Sequence, residues 1–175
     1  MDMLRDEHAA ITRALSILAD IDRHLVAGQA IDVQDLSDLL DFFSDFADAC
    51  HHGKEEDLLF PALLHADASQ SRKPIERLQQ EHAQGRQWVA KMREALQPLA
   101  PQAFHDAAHR YTRMLLEHID KENHVLLPMA ARLLSARQLA HLWQDFEAFE
   151  TRVMGNERHE ALHHLLHRLQ TRYPA

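Results

Sequence analysis

The stretch HHGKEEDLLFP (51–61) returns, altered, as HIDKENHVLLP (118–128), 67 residues further along. His, Lys, Glu, a run of apolar residues and Pro keep the same offsets in both copies. A His and a Glu four apart share one face of a helix. A shorter echo, LRDEH (4–8) against LQQEH (78–82), precedes each copy. A period near 70 seen only twice is an internal duplication rather than a solenoid. A chain written as two similar pairs of helices has one natural solution, a bundle of four.

The apolar spacing supports this. A first helix over about 3–27 carries Leu4, His8, Ile11, Leu15, Leu18 and Leu25 on one stripe and stops at Gly28. Asp32 caps a second, about 33–60, with Leu36, Leu40, Phe43, Ala47, His51 and Glu55. HADASQSRK (65–73) reads as a loop, and Pro74 suits the first turn of a third helix, about 74–97. The fourth, about 102–133, steps through Phe104, Ala108, Tyr111, Leu115, His118, Glu122, Val125 and Met129. Alternating steps of three and four make a bundle seam. Short connections favour an all-α, up-down antiparallel four-helix bundle over residues 1–133. Residues 134–175 form a C-terminal extension: Ser135 caps a helix of about 136–154, and after Gly155-Asn156 another covers about 157–172. Their apolar faces can pack on the bundle or meet a second copy as a homodimer.

Composition narrows the function classes. Only 4 Gly and 6 Pro in 175 residues favour helix throughout. A net charge of −8 argues against a nucleic-acid partner, which needs a basic face. No apolar run approaches the roughly 20 residues of a membrane span. MDMLRDEH lacks the character of a signal peptide, and Cys50 has no partner for a disulfide, so a reducing cytoplasm is expected. There is no nucleophile with a base, no glycine-rich phosphate loop and no zinc-type cysteine set. The 15 histidines are the outlier.

Six polar residues fall on stripes that should be buried: His8, His51, Glu55, His82, His118 and Glu122. An unpaired buried carboxylate costs several kcal/mol or takes up a proton. A metal removes that cost, because neutral imidazoles donate nitrogen and carboxylates can bridge two cations. The prolines set the register: Glu55 and Glu122 each stand six residues before one, so His51/Glu55 match His118/Glu122. His52 and Glu56 are then expected about 100° away on the helix.

EH in the first and third helices, HxxxEExxLFP in the second and HxxxENxxLxP in the fourth resemble the hemerythrin-like, HHE cation-binding family. The resemblance implies a four-helix bundle holding two non-haem irons as an oxo- or hydroxo-bridged centre. Carried over by position, His8 and His51 serve one iron, His82 and His118 the other, and Glu55 and Glu122 bridge them. Oxygen carriers of that family place a further His one turn after the third-helix histidine, where this chain has Arg86. They also end the fourth-helix motif with Asp at a five-residue step, where this chain has Glu122 at four. Four histidines rather than five suggest a sensing or stress-related branch. The implied ligands are O2, peroxide or nitric oxide, with Zn or Mn as substitute metals. The alternative is a non-enzymatic module that binds or senses iron or another divalent cation with a protein partner. Glu7 and Glu81 are either supports for the ligands or further ligands. His105, His109, His159, His163 and His167 read as surface, and Tyr111 and Cys50 as core. A ferritin-like site needs two Glu-x-x-His motifs, and only Glu160-Ala-Leu-His163 matches.

Overall fold

The structure, a computed structural model, describes residues 2–174, the side chain of Asn156 excepted. Six helical rods follow in order: α1 (Asp2–Val26), α2 (33–66), α3 (68–94), α4 (101–133), α5 (Ala136–Val153) and α6 (Gly155–Arg172). Asp32 caps α2, accepting from the Gln34 amide, and Ser135 caps α5 with Gln138 completing a reciprocal box.

Two apolar clusters fix the up-down order. At one end Leu4 from the start of α1 meets Leu63 from the end of α2, Leu78 from α3 and Leu126 and Leu127 from the end of α4. At the other end Leu25, Leu36, Met92 and Phe104 gather from the opposite termini of the same rods. That arrangement requires each rod to run against its neighbours. The polar stripe residues lie between the clusters, so a polar layer divides the core.

The expected loop at 65–73 is not a loop. Helix runs on both sides of a corner at Asp67 alone, whose backbone is extended (φ −159°, ψ 92°). Asp67 Oδ1 accepts from the amides of Ser69 at 2.9 Å and Gln70 at 3.2 Å, so α3 begins at residue 68 rather than at Pro74. The Ser71 hydroxyl donates to the Leu63 carbonyl near the end of α2. Side-chain caps thus replace a linker, and Pro74 is left inside α3.

Pro61 and Pro128 do not end their helices. Each follows a widened turn in which an amide donates five residues back: Phe60 to Glu55, and Leu127 to Glu122. A third widened stretch covers Phe43–His52, and Gly53 donates to Asp48 at its end. A proline has no N–H for the i−4 carbonyl and its ring crowds that oxygen, and a local widening relieves both problems. The two copies of the motif share this device.

The extension lies on the α1/α2 side of the bundle. Leu142 and Phe146 of α5 join the first cluster, and Leu162, Leu166 and Leu169 of α6 join the second. These apolar residues of both helices are therefore buried within the chain, whereas Val153 at the end of α5 is exposed. A Cβ on Gly53 would lie 2.8 Å from the Phe149 ring, so glycine is what lets α5 approach α2 this closely. Arg168 and Arg172 pair with Asp35 at 2.7 and 2.8 Å, tying α6 to the start of α2. Among the described residues no helix is long and apolar enough to cross a membrane.

Candidate metal centre

The structure brings all six stripe residues together, each no more than 2 % exposed. His8 comes from the first turns of α1, His51 and Glu55 from the widened part of α2, His82 from mid-α3, and His118 and Glu122 from mid-α4. His8 Nε2 lies 3.1 Å from Glu122 Oε2, and His118 Nε2 lies 2.9 Å from Glu122 Oε1. His82 Nε2 is 3.5 Å from Glu55 Oε2 and 3.1 Å from His118 Nε2. The ligand atoms form two overlapping groups, each within 4.8 Å: His8, His51, Glu55 and Glu122, and Glu55, His82, His118 and Glu122. Both carboxylates belong to both groups.

The outer edge of each imidazole is held in turn. His51 Nδ1 donates to Glu7 at 2.7 Å, His82 Nδ1 to Glu56 at 2.7 Å, His118 Nδ1 to Glu81 at 3.0 Å and His8 Nδ1 to Asn123 at 3.0 Å. A carboxylate can only accept, so Nδ1 carries the proton and Nε2 turns inward with its lone pair. This is the usual arrangement for a metal-ligating histidine. The partners follow the duplication. Glu7 and Glu81 precede His8 and His82, and each serves the histidine of the next rod. Glu56 and Asn123 each follow a shared carboxylate, and each serves the other half. Glu7 and Glu81 therefore act as supports.

Seven buried side-chain atoms here make no well-directed hydrogen bond, although His8 and His118 lie close to Glu122: Nε2 of His8, His51 and His52, and all four oxygens of Glu55 and Glu122. Buried polar atoms are rarely left so, and a cluster of them calls for an ion. Imidazole nitrogen with shared carboxylate oxygen suits a first-row divalent metal. The residues present therefore fit a cation pair.

Without a cation, protons must serve instead. Burial opposes charge on His82, but Glu122, Glu55 and Glu56 push it up to about 11. Against the same burial Glu122 and Glu81 push His118 up to about 9. Burial and the Glu122 charge raise Glu55, whereas His118, His8 and His82 overcome burial to hold Glu122 well below the usual range. Imidazoles raised above their ordinary 6.5 stabilise the metal-free fold fully below that pH. The contribution is lost as pH rises through about 9 toward 11. The metal-free protein should thus melt at progressively lower temperature above neutrality, while the loaded protein should not follow, because its imidazoles are already neutral. Parallel melts across that range test this, and a flat metal-free curve would contradict it.

Residues 1–130 match the family described as Hemerythrin HHE cation binding domain. The chain belongs to that family. Neither the curated proteins nor the solved structures compared with it gave a match. The family binds cations, and the buried His/Glu groups of this hemerythrin-like chain are the place where one can be held.

Three residues of this hemerythrin-like chain carry more than the helical periodicity indicated. His52 does not point away: it is 4 % exposed, and its ring stacks on His82 with centroids 3.9 Å apart. In a widened turn successive residues are separated by less rotation, so His51 and His52 both face inward. Glu56 also turns back far enough to hold His82. Lys54 is fully buried, its ammonium 2.5 Å from Glu7 and 2.6 Å from Glu150 of α5. Its counterpart in the second copy, Lys121, pairs with Glu81. The repeated Lys three residues after each motif histidine was the signal for both.

Of the remaining histidines, His159 stacks on Phe46 outside this centre, His163 meets that ring edge-on, and His105 pairs with Asp22 at 2.7 Å. Tyr111 and Cys50 are buried core, and burial raises both hydroxyl and thiol.

Proposed function

We propose that the chain is a non-haem di-iron protein that binds, senses or reacts with O2, peroxide or nitric oxide. His8 and His51 hold one cation, His82 and His118 the other, and Glu55 and Glu122 are shared. The observation that carries this reading is the convergence of unpartnered nitrogens and carboxylate oxygens in a layer sealed above and below by apolar residues. Two irons held there would supply open coordination positions and electrons for a small oxidant or diatomic ligand. The chain supplies the rest. Glu7, Glu56, Glu81 and Asn123 hold the Nδ1 protons and aim the four Nε2 lone pairs. Leu4, Leu59, Phe60 and Leu78 keep bulk water from one side, and Phe43, Ala47 and Leu115 from the other.

Elemental analysis of protein from iron-supplied cells should find about two irons per chain, as a pair of sites sharing carboxylates requires. His118→Ala should lose metal from one of the two sites and Glu55→Ala from both, whereas His163→Ala should lose none. Air added to reduced protein should produce near-ultraviolet charge-transfer bands. Metal-free protein under these conditions would contradict the reading.

A second reading has its own support. Glu150 of α5 reaches His51 through Lys54 and Glu7. The extension is thereby linked to the centre, as in a module that senses a cation and signals to a protein partner. That reading requires metal-dependent association without peroxide turnover.

A further inference from the structure

We infer that His52 is a fifth histidine ligand, joining His82 and His118 on one of the two cations. The inference rests on the di-iron reading but adds a residue to it. His52, His82 and His118 offer ring nitrogens that all lie within 4.8 Å of one another, and all three residues are buried. His82 and His118 are the imidazoles that, with Glu55 and Glu122, form the second ligand group. His52 thus offers a nitrogen close to a cation position defined without it.

Its two nitrogens differ. Nδ1 lies 3.2 Å from Asp48 Oδ1 and donates to it. Nε2 is buried and has no partner. A histidine used only for packing would leave that lone pair unsatisfied at a cost of about 1–3 kcal/mol. His82 and His118 cannot satisfy it, because their Nδ1 protons are committed to Glu56 and Glu81 and their Nε2 atoms face each other. A cation is a partner that all three inward imidazole nitrogens can share.

The support behind His52 is as complete as that behind the other four. Arg86 Nε lies 2.8 and 3.0 Å from the two oxygens of Asp48, and its Nη2 lies 2.9 Å from Glu56. One guanidinium thus fixes the carboxylate that orients His52 and the carboxylate that orients His82. Arg86 and Asp48 are positioning residues: they touch no ligand atom but set the angle at which two imidazoles meet the cation. By position in the sequence, Arg86 stands where the oxygen carriers of the family have a further histidine. In the fold Arg86 holds a replacement supplied by α2.

The test counts ligated imidazoles directly. Each histidine bound through Nε2 to a paramagnetic ion gives one exchangeable, strongly shifted Nδ1–H proton resonance. The probe is the reduced, iron-loaded full chain, with iron content measured on the same sample. Wild type should show five such resonances, and His52→Gln should show four while still binding iron at least tenfold more weakly at one of its two sites. Asp48→Asn, which keeps the imidazole, should weaken that same site about 10- to 100-fold. If His52→Gln fails to fold, the wild-type count still decides. Two irons with four resonances in wild type would overturn this inference and leave the di-iron reading standing. Protein that takes up no iron would overturn both.

Discussion

Glu122→Gln should abolish tight binding of both cations, whereas His118→Ala should weaken only one. Glu122 belongs to both ligand groups, with Oε2 3.1 Å from His8 Nε2 and Oε1 2.9 Å from His118 Nε2. It thus touches histidines from both halves of the duplicated chain. His118 belongs to the second group and not to the one formed by His8, His51 and the carboxylates. The amide keeps the shape of the carboxylate but removes the charge that offsets two cations. Loss of a supporting residue costs metal affinity about 10- to 100-fold, so loss of a shared charged ligand should exceed the upper figure at both sites. Competition against a coloured chelator measures this. Retention of two cations by Glu122→Gln at wild-type affinity would show that the carboxylate is not shared.

Lys54→Met should destabilise the fold by about 3–5 kcal/mol, the usual cost of removing one partner from a buried ion pair. Lys54 is fully buried and stands between Glu7 and Glu150, at 2.5 and 2.6 Å. Methionine fills the space but leaves two carboxylates facing each other beside Cys50. For a chain of this size the loss corresponds to a melting temperature lower by about 10 °C. Adding Glu150→Gln should restore part of it, since that carboxylate then carries no charge, and a double-mutant cycle measures the share. Glu7 also fixes His51, so Lys54→Met should weaken metal binding as well. A melting temperature unchanged within a degree or two would contradict this account of the link between α5 and the centre.

Helical period was enough to find the bundle and the six residues at its polar layer. His8, His82 and His118 sit at steps of three and four from Leu4, Leu78 and Leu115, and such steps hold wherever the helix is regular. They fail where it is not. The widened stretch Phe43–His52 and the widened turn before Pro61 change the rotation per residue, so His52 and Glu56 face the centre although a regular helix would turn them aside. The corner at Asp67 was hidden for a different reason. A run rich in Ser, Asp and Ala reads as a loop, yet one aspartate accepting two amides starts α3 without any linker. The burial of Lys54 depends on Glu150, which lies 96 residues away in the chain, a tertiary contact that local pattern does not encode.

The proposed centre depends on two cations sharing Glu55 and Glu122. Anomalous X-ray scattering at the iron edge, from crystals of the iron-loaded protein, measures this most directly. Two peaks should appear side by side within the polar layer, one facing His8 and His51 and the other facing His82 and His118, with both carboxylates between them. A single peak, or iron only at the exposed histidines of α6, would contradict it.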